Sequence, residues 1–181
     1  MNSYGALIAS DTLRIERVLP GPIERVWEYL TDSDKRSTWL AAGTMDLKTG
    51  GRVEHRFNNS DLTKDDDLAP RKYSHCQNEQ LLLGEITACK PPHLLSYIWN
   101  KGSSEESEVC FELSPKGADV ALTVTHRRLN SRDEILSVAA GWHAHLDILI
   151  AHLKEEVPPG FWRNHTYLET EYERRLSLAS R

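Results

Sequence analysis

The sequence predicts an α+β fold, a curved antiparallel sheet of six to seven strands around one long C-terminal helix. Three observations predict it. Residues 80–89, 94–99, 108–113 and 120–126 are strand-length segments in succession. Between them lies turn chemistry: Lys90-Pro91-Pro92, Gly102-Ser103-Ser104 and Pro115-Lys116-Gly117. Residues 131–157 then carry an unbroken apolar stripe at helical spacing. A sheet with one apolar face has to be covered, and this helix is the cover.

Each element has its own justification. Residues 12–19 alternate, with Leu13 and Ile15 on one face, and read as a first strand. Pro20-Gly21-Pro22 stops it, and Pro22 opens a helix, where its missing N–H costs nothing. Ile23, Val26, Trp27 and Leu30 fall on one side of that helix. Asp32 or Ser33 caps a second, short helix carrying Trp39 and Leu40. Gly50-Gly51 is a turn, after which residues 52–57 alternate with Val53, His55 and Phe57 together. Residues 58–79 break all periodicity; a loop this long is functional or mobile, and it could act as a lid. Its Asp65-Asp66-Asp67 run lacks calcium-loop spacing and reads as solvated charge.

In the meander, Val109, Phe111 and Leu113 share a face, as do Val120, Leu122, Val124 and His126, which suits a sheet with one wet side. Ser131 and Glu134 form a capping box. Ile135, Val138, Ala139, Trp142, Leu146, Leu149 and Leu153 follow as one stripe. At 1.5 Å per residue the helix reaches roughly 38 Å, enough to cross a sheet. Pro158-Pro159-Gly160 ends it, and residues 165–178 make a last helix with Leu168, Tyr172 and Leu176 aligned. The order defines a helix-grip arrangement, in which a twisted sheet can leave space beneath its helix. One domain spans residues 1–181, with a core at 12–157 and a helical extension at 158–178.

Composition narrows the function. With 22 Lys+Arg against 27 Asp+Glu, the net charge is −5 and no basic stripe exists, so nucleic acid and anionic membrane surfaces are not expected partners. No run approaches the roughly 18 apolar residues of a membrane span. The three cysteines, Cys76, Cys89 and Cys110, are odd in number, and no signal peptide precedes them, so a cytoplasmic protein with reduced thiols is expected. Eight histidines invite a metal, but His143 and His145 project ~200° apart on a helix, and His145 and His152 stand ~10 Å apart along it. Neither a metal nor a cofactor is expected. The chain has no nucleophile elbow, P-loop or carboxylate-pair motif, so no catalytic residue is assigned. Both a monomer and a homodimer fit.

Val26-Trp27-Glu28-Tyr29-Leu30-Thr31-Asp32 with Trp39, then Gly50-Gly51, resembles the opening of the START-like (SRPBCC) superfamily, which includes START lipid-transfer domains and the birch pollen allergen. Gly84-Glu85-Ile86, Pro91-Pro92-His93-Leu94-Leu95, Tyr97 to Trp99, Val124-Thr125-His126 and Gly141-Trp142 with Leu146 and Leu149 narrow this. Together they are similar to the branch named after the activator of the ninety-kilodalton heat-shock chaperone's ATPase. Phe161-Trp162 and Tyr172-Glu173-Arg174-Arg175-Leu176 are similar to an extension in many bacterial members. The resemblance implies the helix-grip fold and a cavity for a small hydrophobic or amphipathic ligand, lipid-like, polyketide-like or aromatic. It leaves open a protein–protein module acting on a chaperone partner, and a small cyclase or hydrolase with His126 or His55 as base.

The candidate cavity residues are Trp39, Phe57, Trp99, Phe111, His126 and Trp142. The aromatics would supply apolar contact and His126 a hydrogen bond. Against this, His126 and His55 fit equally as satisfied strand histidines, and Tyr97, Trp99 and Trp142 as plain core. Gly141, lacking a side chain, is expected to let helix and sheet approach closely.

Overall fold

Seven antiparallel strands form a single sheet in the computed structural model, which describes residues 3–179. They are β1 (Ala6–Ala9), β2 (Thr12–Pro20), β3 (Arg52–Phe57), β4 (Gln80–Lys90), β5 (Leu94–Trp99), β6 (Ser107–Lys116) and β7 (Asp119–Arg127), in the order β1-β2-β7-β6-β5-β4-β3. Four helices accompany them: α1 (Ile23–Thr31), α2 (Ser33–Ser37), α3 (Arg132–Leu153) and α4 (Phe161–Ala179). The register sets one inward row across the sheet. Leu13 lies opposite His126, His126 opposite Val109, Val109 opposite Tyr97 and Tyr97 opposite Ile86, and all five are buried.

A period of two runs through β3, where Val53 and His55 are buried between outward neighbours, whereas β5, in the middle of the sheet, buries Leu95, Ser96 and Tyr97 in succession. The edge strand β1 has no such signal, because all four of its residues are exposed. Helix α2 is capped as its sequence requires, Asp32 accepting from the Lys35 amide at 2.9 Å. It stops at Ser37, so Trp39 and Leu40 follow it in a turn rather than riding on it. The cause is Arg36. Fully buried, its guanidinium donates to the carbonyls of Leu30, Thr31, Ala41 and Gly43 and ties the α1–α2 corner to the strand that follows. Burial lowers its pKa.

Helix α3 is buried on more than one side, since Ala140, His143 and Ala144 are covered along with Ala139, Trp142 and Leu146. A helix with that much buried surface needs cover on its outer side, and α4 supplies it. Phe161, Trp162, Leu168, Tyr172 and Leu176 of α4 belong to the same hydrophobic cluster as the sheet. The segment from residue 158 is thus part of the core.

Residues 58–79 are more ordered than their composition suggests. They contain two short 3-10 turns, Asn59–Asp61 and Arg71–Gln77. Asp66 accepts from the Trp162 amide at 2.7 Å and the Arg163 amide at 3.1 Å, and Thr63 Oγ1 accepts from the Phe161 amide at 3.0 Å. Asp65 and Asp67 are exposed, as expected of solvated charge, but Asp66 is not free. Asp66 caps the first turn of α4, where unpaired N–H groups and the helix dipole both favour an anion. Among the described residues, no helix is long and apolar enough to cross a membrane.

Candidate functional site

Between the concave face of the sheet and α3 lies a cavity of about 270 Å³. The sheet contributes Phe57, Gln80, Trp99 and His126, one residue from each of four strands. From α3 come Val138, Gly141, Trp142 and His145. The 58–79 segment adds Asn59, Tyr73, His75 and Cys76, and the first turns of α4 add Phe161, Trp162 and His165. The aromatic rings interlock: Trp99 meets Trp142 at 5.2 Å between centroids, Phe57 meets Trp99 at 5.8 Å and His145 meets Phe161 at 4.6 Å. Among the described residues, no Lys, Arg, Asp or Glu lines the cavity.

Four of the six candidates read from the sequence, Phe57, Trp99, His126 and Trp142, border this space; Trp39 and Phe111 do not. Trp39 is fully buried and its indole N–H donates to the Tyr29 carbonyl at 2.8 Å. Phe111 is buried and stands edge-on to Trp142 at 5.4 Å. Gly141 corrects an expectation. An added Cβ there meets no described atom within 4 Å, so helix and sheet stay apart at this point.

Hydrogen bonding fixes the state of His126. The Trp142 indole N–H donates to its Nδ1 at 2.9 Å, and an indole nitrogen can only donate. Nδ1 is thus the bare nitrogen, and Nε2 carries the proton it donates to Ser107 Oγ at 2.7 Å. Burial pushes the His126 pKa down to about 3, so the ring stays neutral. With both nitrogens engaged, His126 forms a fixed wall and has no lone pair free to act as a base. His55 is fully buried outside the lining, with Nε2 at 2.9 Å from the Tyr97 hydroxyl. Burial, with Arg36 and His145 nearby, holds its pKa well below the ordinary value.

His145, read from the sequence only as a poor metal ligand, has the complementary arrangement. Its Nδ1 stands 2.7 Å from the Trp39 carbonyl oxygen, which can only accept. The proton therefore sits on Nδ1, and Nε2 keeps its lone pair. Burial lowers this pKa to about 4, the bond to Trp39 opposing the shift in part. His165 is likewise pushed to about 4 by burial, and its Nδ1 lies 3.7 Å from Glu169 Oε2. Glu169 accepts from Lys72 Nζ at 2.7 Å and from the Tyr73 hydroxyl at 2.9 Å, which latches the 58–79 segment to α4. Burial alone would raise the Glu169 pKa, but these two bonds hold it below the ordinary value. Among the described residues, no three His, Cys, Asp or Glu side chains are grouped to hold a metal ion.

A cupped antiparallel sheet closed by one long helix above a lined cavity defines the START-like, SRPBCC class of proteins. Within that class, the chain belongs to the family described as Activator of Hsp90 ATPase homolog 1-like protein, whose model matches residues 20–154. A solution structure of a Bordetella parapertussis protein is 41% identical, with a TM-score of 0.79 over 97% of this chain and 94% of that one. The crystal structure of CalU16 from Micromonospora echinospora is 22% identical, with a TM-score of 0.64 over 90% and 86% of the two chains. The Aha1 dimer from Colwellia psychrerythraea is 16% identical, with a TM-score of 0.58 over 78% and 95%. The last two likenesses concern the fold alone. No curated protein matches the chain.

Proposed function

We propose that the protein binds a small apolar or aromatic molecule in the cavity between the sheet, α3 and α4. The observation that carries this reading is the open space beneath Gly141, walled by Trp99, Trp142, Phe161 and Trp162. Its 270 Å³ equals the volume of about nine waters at ~30 Å³ each. That lies near the lower end of ligand pockets, which start at about 300 Å³. A compound of one or two rings fits this volume; a two-chain lipid does not. Binding is favoured over catalysis because both nitrogens of His126 are engaged within the protein. It is favoured over a chaperone-regulating module because such a module calls for a filled interior. It also calls for a broad exposed apolar patch, whereas the exposed large apolar residues among the described residues are spread over β1 (Leu7, Ile8), β2 (Val18), β4 (Leu81, Leu83), α4 (Tyr167) and the connections at Leu47, Leu68 and Val157.

The test is a titration with naphthalene followed by the indole N–H resonances. Trp99, Trp142 and Trp162 should shift, while Trp27 and Trp39, which do not line the cavity, should stay in place. Shifts of Trp27 and Trp39 alone, or no shift at saturating naphthalene, would overturn the reading.

A further inference from the structure

We infer that the cavity selects a neutral aromatic compound bearing a hydrogen-bond donor, such as a ring hydroxyl or N–H, and that His145 Nε2 reads that donor. The inference rests on the cavity being a ligand site and adds the chemistry of the ligand's polar end.

The wall's polar groups divide unevenly: the Trp99 indole N–H makes no hydrogen bond among the described residues, while the other N–H and O–H donors named next are engaged. The N–H of Trp142 is engaged by His126, and that of Trp162 reaches Ser60 Oγ at 3.3 Å. The Tyr73 hydroxyl donates to Glu169, and the Gln80 amide to the His75 carbonyl at 2.8 Å. Acceptors remain open at the wall, among them His145 Nε2 and Asn59 Oδ1, and His165 Nδ1 is also buried there without a hydrogen-bond partner among the described residues. His145 Nε2 holds a lone pair because Nδ1 is committed to the Trp39 carbonyl, and His145 makes no second hydrogen bond among the described residues. Asn59 Oδ1, also at the wall, is buried with no partner among the described residues.

When a guest displaces water, an acceptor left facing its apolar surface loses hydrogen bonds it had in solvent. A guest that brings a donor avoids that loss, which is how a buried polar group discriminates between near-isosteres. Ionised guests are disfavoured for a separate reason. With no charged side chain at the wall, a carboxylate, phosphate or ammonium head would be desolvated without a counter-charge. Fatty acids and phospholipids are excluded on that ground.

Four compounds built on one ring system test this by calorimetry at neutral pH: 2-naphthol, 2-methoxynaphthalene, naphthalene and 2-naphthoate. The expected order has 2-naphthol tightest, 2-methoxynaphthalene and naphthalene on the order of five-fold weaker, and 2-naphthoate weaker again by roughly ten-fold or more. In His145→Asn, the shorter amide keeps a donor for the Trp39 carbonyl and removes the Nε2 acceptor. The naphthol preference over naphthalene, read as a ratio within the variant, should then fall to within about two-fold, one hydrogen bond's worth having gone. In the unaltered protein, the His145 Nε2 nitrogen signal should move upfield with 2-naphthol and stay still with 2-methoxynaphthalene. That readout stands even if the variant folds poorly. Equal affinity for naphthol and its methyl ether, tightest binding by naphthoate, or a still Nε2 signal at saturating naphthol would overturn the inference and leave the cavity reading intact. Failure of all four compounds to bind would overturn the cavity reading, and this inference with it.

Discussion

Replacing Gly141 directs a side chain into the cavity from the middle of α3. In a helix interior, glycine is less favourable than alanine by about 0.8–1.0 kcal/mol. The added Cβ of Gly141→Ala meets no described atom within 4 Å, so this gain should come without a clash. For a chain of this size, 1 kcal/mol corresponds to about 2–4 °C in Tm, and Gly141→Ala should melt higher by that amount. Gly141→Leu adds burial of an isobutyl group, about 1.5–3 kcal/mol. Overpacking, about 1–3 kcal/mol, offsets some of this where the ring walls do not yield. The net should still be stabilising, by roughly 1–2 kcal/mol from these terms. The same side chain occupies the guest's place, so naphthalene affinity should drop by an order of magnitude or more. Calorimetric unfolding and naphthalene titration on both variants check the pair of outcomes. If Gly141→Leu loses several kcal/mol of stability, the space is not there to be filled. If it gains stability and still binds naphthalene as before, the guest sits elsewhere.

Three other perturbations bear on the supporting structure. Asp66→Ala removes the acceptor for the Trp162 and Arg163 amides; a lost cap of this kind costs about 1–2 kcal/mol, and hydrogen exchange should quicken in the first turn of α4 while α3 stays protected. Arg36→Leu leaves the carbonyls of Leu30, Thr31, Ala41 and Gly43 without their buried donor. Leaving a buried carbonyl unsatisfied costs about 1–3 kcal/mol, and an unchanged urea midpoint would contradict the role given to it. Acid should unfold the protein through its histidines. His126 and His143 are held down to about 3, and His145 and His165 to about 4, mainly by burial. The unfolded chain takes up these protons near pH 6.5 and the folded chain refuses them. The stability is thus fully present above about pH 6.5 and is lost as pH falls toward 4, each histidine contributing up to about 1.4 kcal/mol per pH unit. Tm should be level from pH 8 to 7 and fall steeply below 6; a level profile down to pH 4 would contradict the burial of these rings.

The sheet was legible because β2, β3 and β7 alternate with a period of two and the other long strands are set off by turn residues. That period puts Phe57 and His126 on the concave face, and the helical stripe puts Trp142 opposite them. Periodicity gives direction but not depth, which is why Phe111 faces inward yet packs outside the cavity wall, and Trp39, in the turn after α2, has no period to place it at all. The rest of the wall depends on contacts between distant segments. Phe161 and Trp162 line the cavity because Asp66 and Thr63, nearly a hundred residues earlier, start α4 at Phe161. Seen locally, Asp65-Asp66-Asp67 is simply a run of like charge. His145 escaped notice for a similar reason: its tautomer is set by the Trp39 carbonyl, which the chain brings to it from the α2 corner. The Phe161-Trp162 pair, directly after Pro158-Pro159-Gly160, was the available signal for a second aromatic wall.

The space between the sheet and α3 should hold no side chain and admit an apolar guest. The most direct measurement is a crystal pressurised with xenon, which enters apolar cavities and reports them as electron density. A xenon peak should appear beneath Gly141, between Trp99, Trp142 and Phe161. Density in which those three rings fill the gap, with no xenon among them, would contradict it.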